Sequence, residues 1–405
     1  MQSMKSTLTR PGTLVGMVRA VGAVTAGTLL ANLLAYLVQV PASRALGADG
    51  FGEYSVLSAA MLILSVPALA LQAIVAREVV AGTSRRRLRR LIGSVAVAVA
   101  AGSVVGVAVM MQLAHTSLAS TTAALLAAAP LAVVAGGQGL LQGTGRFGAL
   151  GAVLAGVGVL RTVPVVAAVY GGLGPTGALA AGTAGTAVAA AMVAGVAARD
   201  GYRSDTSDRA RVSLSDVLAA SGVQFVMIVA VSVDLLLSRA VLSSSDAGVY
   251  ALGAVATKAA FWLPQAIGVV VYPRLADPIR SSDALRRALV VLAGIGVCVI
   301  GAAALAGPIV PTIISDDYRS VSTLMWLFAL TGALLAILQL MLLAAIARNR
   351  ARGALPAFCV LVVEVALIAT LADSVTSLAV IAASSAAAAV AVTSAWLRFA
   401  ESSEA

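Results

Sequence analysis

Residues 20–40, 54–76 and 91–114 contain no charged side chain, in runs of 21, 23 and 24 residues. About 20 apolar residues, rising 1.5 Å each along a helix, cross the roughly 30 Å hydrocarbon core of a bilayer. Backbone polar groups in hydrocarbon must be paired internally, which leaves helices and closed barrels. The two-residue alternation of a barrel strand is absent. The chain therefore reads as an all-α polytopic membrane protein. Its composition agrees: 60% of residues are hydrophobic and 11% charged, against about 45–50% and 25% in soluble domains.

Twelve helices are predicted, near 14–40, 54–76, 91–113, 121–138, 149–170 and 174–198, then 214–242, 247–272, 288–309, 321–346, 354–372 and 374–397. The polar segment "ARDGYRSDTSDRARVSLSD" separates the two sets. This predicts an N-terminal six-helix lobe over 1–198, a cytoplasmic linker over 199–213 and a C-terminal six-helix lobe over 214–405. Along this topology every second loop is basic, with 22 Lys and Arg on one side and 3 on the other. Such a bias places the basic side, and both termini, in the cytoplasm. It also accounts for the net charge of +10 without a nucleic-acid partner. The first apolar run exceeds the 7–15 residues of a signal-peptide core, so an uncleaved first helix is expected.

The chemistry of an enzyme is hard to assemble here. The single histidine, His115, falls in an outer loop, so no Ser/His/Asp or Cys/His set can be built with it. No Gly-Lys-Ser/Thr phosphate loop occurs, and "GTGRFG" around Arg146 joins two membrane helices with no strand before it. Cys298 and Cys359 sit in apolar runs away from other metal ligands. No catalytic residue, metal or cofactor is expected, and every loop is too short for an added domain.

One element is written twice. "LGADGFGEYSVLSAA" from Leu46 aligns with "LSSSDAGVYALGAVA" from Leu242, pairing Gly52 with Gly248 and Tyr54 with Tyr250 at an offset of 196. Pro67 and Arg77 pair with Pro264 and Arg274 at an offset of 197. Both elements join the first two helices of a six-helix set. Glycine stops the first helix, an acid meets the positive end of the next, tyrosine is expected at the headgroup level, and proline bends the second helix. An even number of helices per set makes the halves parallel repeats about an axis along the membrane normal.

Charges inside membrane helices are expensive and mark function. Arg161, Lys258 and Glu364 fall mid-helix, Asp234 lies in the outer part of the seventh helix, and Arg19 sits low in the first. An anion crossing hydrocarbon would need cations, which Lys258, Arg19 and Arg161 supply. The same charges would also make internal pairs, Lys258 with Asp234 and Arg161 with Glu364, and Asp234 and Glu364 are the acids available for coupling to a cation. Arg77 and Arg274 end their helices at the cytoplasmic face, where they would receive an incoming headgroup or anchor the helix ends.

The stretch "LGADGFGEYSVLSAAMLILSVPALALQAIVAREV", with its Leu-Gly turn, Phe-Gly-x-Tyr-Ser and closing Arg-Glu, resembles the signature of bacterial polysaccharide-biosynthesis flippases. These are the O-antigen-type transporters of the multidrug/oligosaccharidyl-lipid/polysaccharide (MOP) exporter superfamily. "VDLLLSRAVLSSSDAGVYALGAVATKAAFWLPQAIGVVVYPRLAD" is similar to that family's seventh and eighth helices, and "ISDDYRSVSTLMWLFAL" to its loop before the tenth. The resemblance covers most of the chain. It implies two six-helix lobes around a central cavity, with Lys258 on a cavity-lining helix, where it would bind a pyrophosphate with Arg19 or Arg161. It further implies that a saccharide on a polyprenyl pyrophosphate is moved from the inner to the outer leaflet of the bacterial inner membrane by alternating access. Membrane lipids, and a polysaccharide polymerase or glycosyltransferases, would be its partners. Two features depart from the pattern: the chain is short, and its first helix lacks the carboxylate of the superfamily's cation-coupled drug exporters, which stand as the alternative function.

Overall fold

The computed structural model describes residues 11–199, 213–262, 281–347 and 355–402, and every regular element among them is helical. Helix α1 spans Pro11–Leu37, α2 Gln39–Leu64 and α3 Val66–Val80. The apolar stretch Gly22–Val80 is 59 residues long, about 88 Å as one straight helix and far more than a bilayer is thick. The break falls in α2 at Gly47, with φ 66° and ψ 177°. This region of backbone space is essentially confined to glycine. Gly47 lies in the first copy of the repeated element, where the second copy has Ser243. Pro67 stands in the first turn of α3, where its missing N–H costs nothing.

The chain continues through α4 (Arg85–Leu113), α5 (Leu118–Leu125), α6 (Ala128–Gly143), α7 (Phe147–Tyr170) and α8 (Gly174–Ala198). The second half holds α9 (Leu214–Ala230), α10 (Val233–Val241), α11 (Ser244–Trp262), α12 (Ser281–Ala306), the short α13 (Val310–Ile313) and α14 (Arg319–Ser322), then α15 (Met325–Ala347), α16 (Leu355–Leu371) and α17 (Val375–Ser402). Serines cap several starts. Ser117 accepts from the Ser120 amide at α5. Ser243 accepts from the Asp246 amide at α11 and donates back to the Asp246 carboxylate, a local exchange that satisfies the first-turn donors. At α9 the Asp216 carboxyl accepts from the backbone and side chain of Ser213, which hold it below the usual carboxylate range.

Among the described residues, eight helices are long and apolar enough to cross a membrane, and a ninth results if the bent pair 224–230 and 233–241 is one span. That tally counts Gly22–Val80 once. Residues 263–272 of the eighth expected helix lie outside the described residues, as do most of the linker and the loops carrying Arg274 and Arg348. Three expected helices are interrupted: the second at Ser65 between α2 and α3, the fourth between α5 and α6, and the seventh between α9 and α10.

The chain divides into two compact units. The first comprises Met1–Pro41, Ala60–Met111 and Ser117–Phe225; the second Ala42–Ala59, Gln112–Thr116 and Val226–Ala405. Inside the first, α3 packs on α6, α1 on α7, α6 on α8 and α7 on α8. Inside the second, α11 packs on α15, α10 on α16, α15 on α17 and α16 on α17. Numbered within each six-helix set, both units pair second with fourth, first with fifth, fourth with sixth and fifth with sixth. The repeat seen in the turns thus extends to the packing. Large apolar side chains such as Val104, Val297 and Leu305 remain exposed, as lipid-facing residues do.

Small residues set a close contact between α1 and α7 in the first unit. A side chain added at Gly27 would strike the Gly151 backbone, and one at Gly151 would strike Ala23. Small residues that let helix backbones approach are the usual adhesive in membranes, where no water drives association. Gly27→Leu is expected to cost about 1–3 kcal/mol through overpacking, read as a lower thermal-unfolding midpoint of the purified protein. Gly22→Leu, with open space around it, should leave the midpoint near that of the parent.

Candidate functional site

The second unit gathers charged groups around a broken helix. Between α9 and α10 the chain bends by 42°. Ser232, at the break, is 1% exposed, and its hydroxyl has no hydrogen-bond partner among the described residues. Two residues on, Asp234 opens α10 and is 4% exposed. One carboxylate oxygen accepts from the Leu235 amide at 2.7 Å and the other from the Tyr250 hydroxyl at 2.6 Å. A 2.6 Å O–H···O distance is at the short end of the usual range. Tyr250 lies on α11, is fully buried and sets its ring edge-on to Phe328 at 5.0 Å.

Two further charges complete the group. Glu364 of α16 is buried and within electrostatic reach of Asp234 and Tyr250. Lys258 of α11 is half-buried and feels the Asp234 charge. No carboxylate among the described residues lies within the 4.0 Å of an ion pair from its amine. Lys258 stands fourteen residues into α11, roughly 21 Å from its start, well inside a bilayer. The arrangement combines two buried carboxylates, able to hold a proton or a cation, with one cation open to an anionic ligand.

No protein-family model matches the chain, and no curated protein does. Solved structures do. An inward-facing multidrug resistance MATE family transporter of the MOP superfamily matches with a TM-score of 0.70 at 15% identity, over 95% of this chain and 98% of that one. The fold is that of the MOP-superfamily transporters. The lipid II flippase MurJ, in an inward closed conformation, matches with a TM-score of 0.64 at 11% identity, over 92% of this chain and 86% of that one. A eukaryotic MATE transporter matches at 0.59 and 13% identity, over 93% of each chain. All three neighbours are transporters.

Within this MOP fold the other sequence-derived residues take separate places. Arg161 is half-buried on α7 of the first unit. Arg19 belongs to α1, and its side chain lies outside the described residues, as does Arg274 altogether. Arg77, at the end of α3, is exposed, 3.7 Å from Glu78, and its charge reaches Asp216. Asp234, Lys258 and Glu364 are brought together. The pairing of Asp234 with Lys258 is electrostatic at longer range, because Tyr250 and Leu235 occupy the carboxylate.

Four residues were not legible as such. Tyr54 and Tyr250, expected at the headgroup level, are both buried. Arg239, counted only as an outer-side basic residue, has its side chain 10% exposed and meets Asp49 at 3.4 Å. Ser232 marks a break that no proline or glycine announces.

Proposed function

We propose that this chain flips a lipid-linked saccharide, carried on a polyprenyl pyrophosphate, across the bacterial inner membrane for cell-surface polysaccharide synthesis. The observation that carries this reading is Lys258: a mid-membrane amine without a carboxylate at ion-pair distance among the described residues. Such a cation needs water or an anion, and a diphosphate is an anion the membrane does not otherwise admit. Arg19 and Arg161 add cationic charge to their helices, and α1 carries no acid between Pro11 and Leu37, which suits an anionic cargo better than a cationic drug. Arg77 and Arg274 would receive the headgroup at the cytoplasmic side, and Asp234 with Glu364 would couple the cycle to a proton or cation. Glycosyltransferases or a polymerase would supply and consume the saccharide.

The second reading, a cation-coupled drug or metabolite exporter, is favoured by the buried Asp234 and Glu364 and by the likeness to a MATE transporter. Expression in a strain lacking its own flippase separates them. Restored surface polysaccharide supports the first reading; drug resistance without restored polysaccharide supports the second.

The same proposal sets both termini and residues 199–213 in the cytoplasm, from the basic bias of the loops. Reporter fusions at Arg203 and His115 are expected to score on opposite sides of the membrane. A shared side would contradict the twelve-helix topology.

A further inference from the structure

The two repeated turns meet each other. Gly248, in the first turns of α11, lies so close to Ala48 that a side chain added there would occupy the Ala48 carbonyl. One added at Gly52 would fall 2.9 Å from the Gly248 backbone. Around this crossing, segment 42–59 is held by long-range polar contacts. Tyr318 donates its hydroxyl to the Ser43 carbonyl at 3.2 Å, and Arg44 donates to the Ile313 carbonyl. Arg239 donates to the carbonyls of Ala114 and Asp49 at 3.2 and 3.3 Å and pairs with the Asp49 carboxylate. Phe51 sets its ring edge-on to Tyr318. The result is a clamp that closes the 42–59 turn against the second half of the chain.

Two of the clamping residues share helices with the buried acid site. Arg239 is five residues beyond Asp234 on α10, about 7.5 Å along the axis, and Gly248 is two residues before Tyr250 on α11. The Tyr250–Asp234 hydrogen bond is therefore a buried side-chain link between α11 and α10, next to the clamp. We propose that the α10–α11 hairpin is a lever joining the acid site to the clamp on residues 42–59, with the Tyr250 hydroxyl as the positioning group that keeps the clamp seated. Without that bond α11 can shift against α10, and Gly248 and Arg239 lose their seats together. The proposal holds whichever substrate is carried.

The test reads thiol accessibility, not transport, so it fails or succeeds separately from the flippase reading. Cys298 and Cys359 are free and exposed and are first replaced by alanine. Ser43→Cys, at a position 0% exposed beneath Tyr318, reports the clamp; Ala128→Cys, equally buried in the first unit, reports general loosening. Maleimide labelling rates are measured on the full chain in nanodiscs. Arg239→Ala and Tyr250→Phe are each expected to raise labelling at position 43 by about tenfold or more, the effect of losing a hydrogen bond to a charged group, with position 128 unchanged. Asp234→Asn keeps an acceptor without the charge and should give a smaller rise; it serves as the reporter if Tyr250→Phe fails to fold. Labelling at position 43 that stays at the parent rate in Tyr250→Phe, or in Asp234→Asn where that variant stands in, overturns the lever. So does a rise shared equally by position 128. An unchanged rate in Arg239→Ala overturns the clamp itself.

Discussion

Gly248→Val is expected to abolish transport in a protein that still inserts and stays monodisperse. The new side chain would overlap the Ala48 carbonyl, which belongs to backbone and cannot swing aside. Overpacking of this kind costs about 1–3 kcal/mol, and that energy falls on the clamped arrangement alone, shifting its population by roughly 5- to 150-fold. Gly52→Ala is expected to act in the same direction, because its neighbour is also backbone. Gly301→Ala is the control: nothing lies within 4 Å of its added carbon, and alanine is the better helix former. A Gly248→Val protein with parental transport would remove the crossing from the cycle.

Lys258→Ala is expected to lose flipping of the lipid-linked saccharide, while Lys258→Arg keeps part of it, since a guanidinium also binds a diphosphate. The informative comparison is the double substitution with Asp234→Ala. If Lys258 served only to neutralise Asp234, removing both would restore much of what either alone destroys, because a buried unpaired charge is what a single substitution leaves behind. In the structure Asp234 is already engaged by Tyr250 and the Leu235 amide, and Lys258 lies beyond ion-pair distance. The double variant is therefore expected to be as inactive as Lys258→Ala. Recovery of transport in it would make Lys258 a structural counter-charge.

Much of this is readable in the sequence, for physical reasons. Uncharged runs of more than twenty residues admit few folds, so the helical membrane architecture followed from length and charge. The turn at Gly47 was visible because its backbone geometry needs glycine. Lys258, Asp234 and Glu364 stood out because each is costly in hydrocarbon. What the sequence concealed is relational. Asp234 and Tyr250 are sixteen residues apart on different helices, and no periodicity connects them. A tyrosine beside a turn looks interfacial until the turn is found buried by its own repeat. The break before Asp234 falls at "AVSVD", where no helix-breaking residue stands, so α9 and α10 read as one span.

The central claim is that the anionic, lipid-linked saccharide is the cargo. The purified chain in proteoliposomes, given a fluorescent polyprenyl-pyrophosphate saccharide in both leaflets, measures this through quenching by an impermeant reductant. The account predicts that the parent chain lets nearly all of the label be quenched, while Lys258→Ala vesicles stop near the half already in the outer leaflet. Parent vesicles that also stop at half, but that move a cationic drug in response to a sodium or proton gradient, would contradict it.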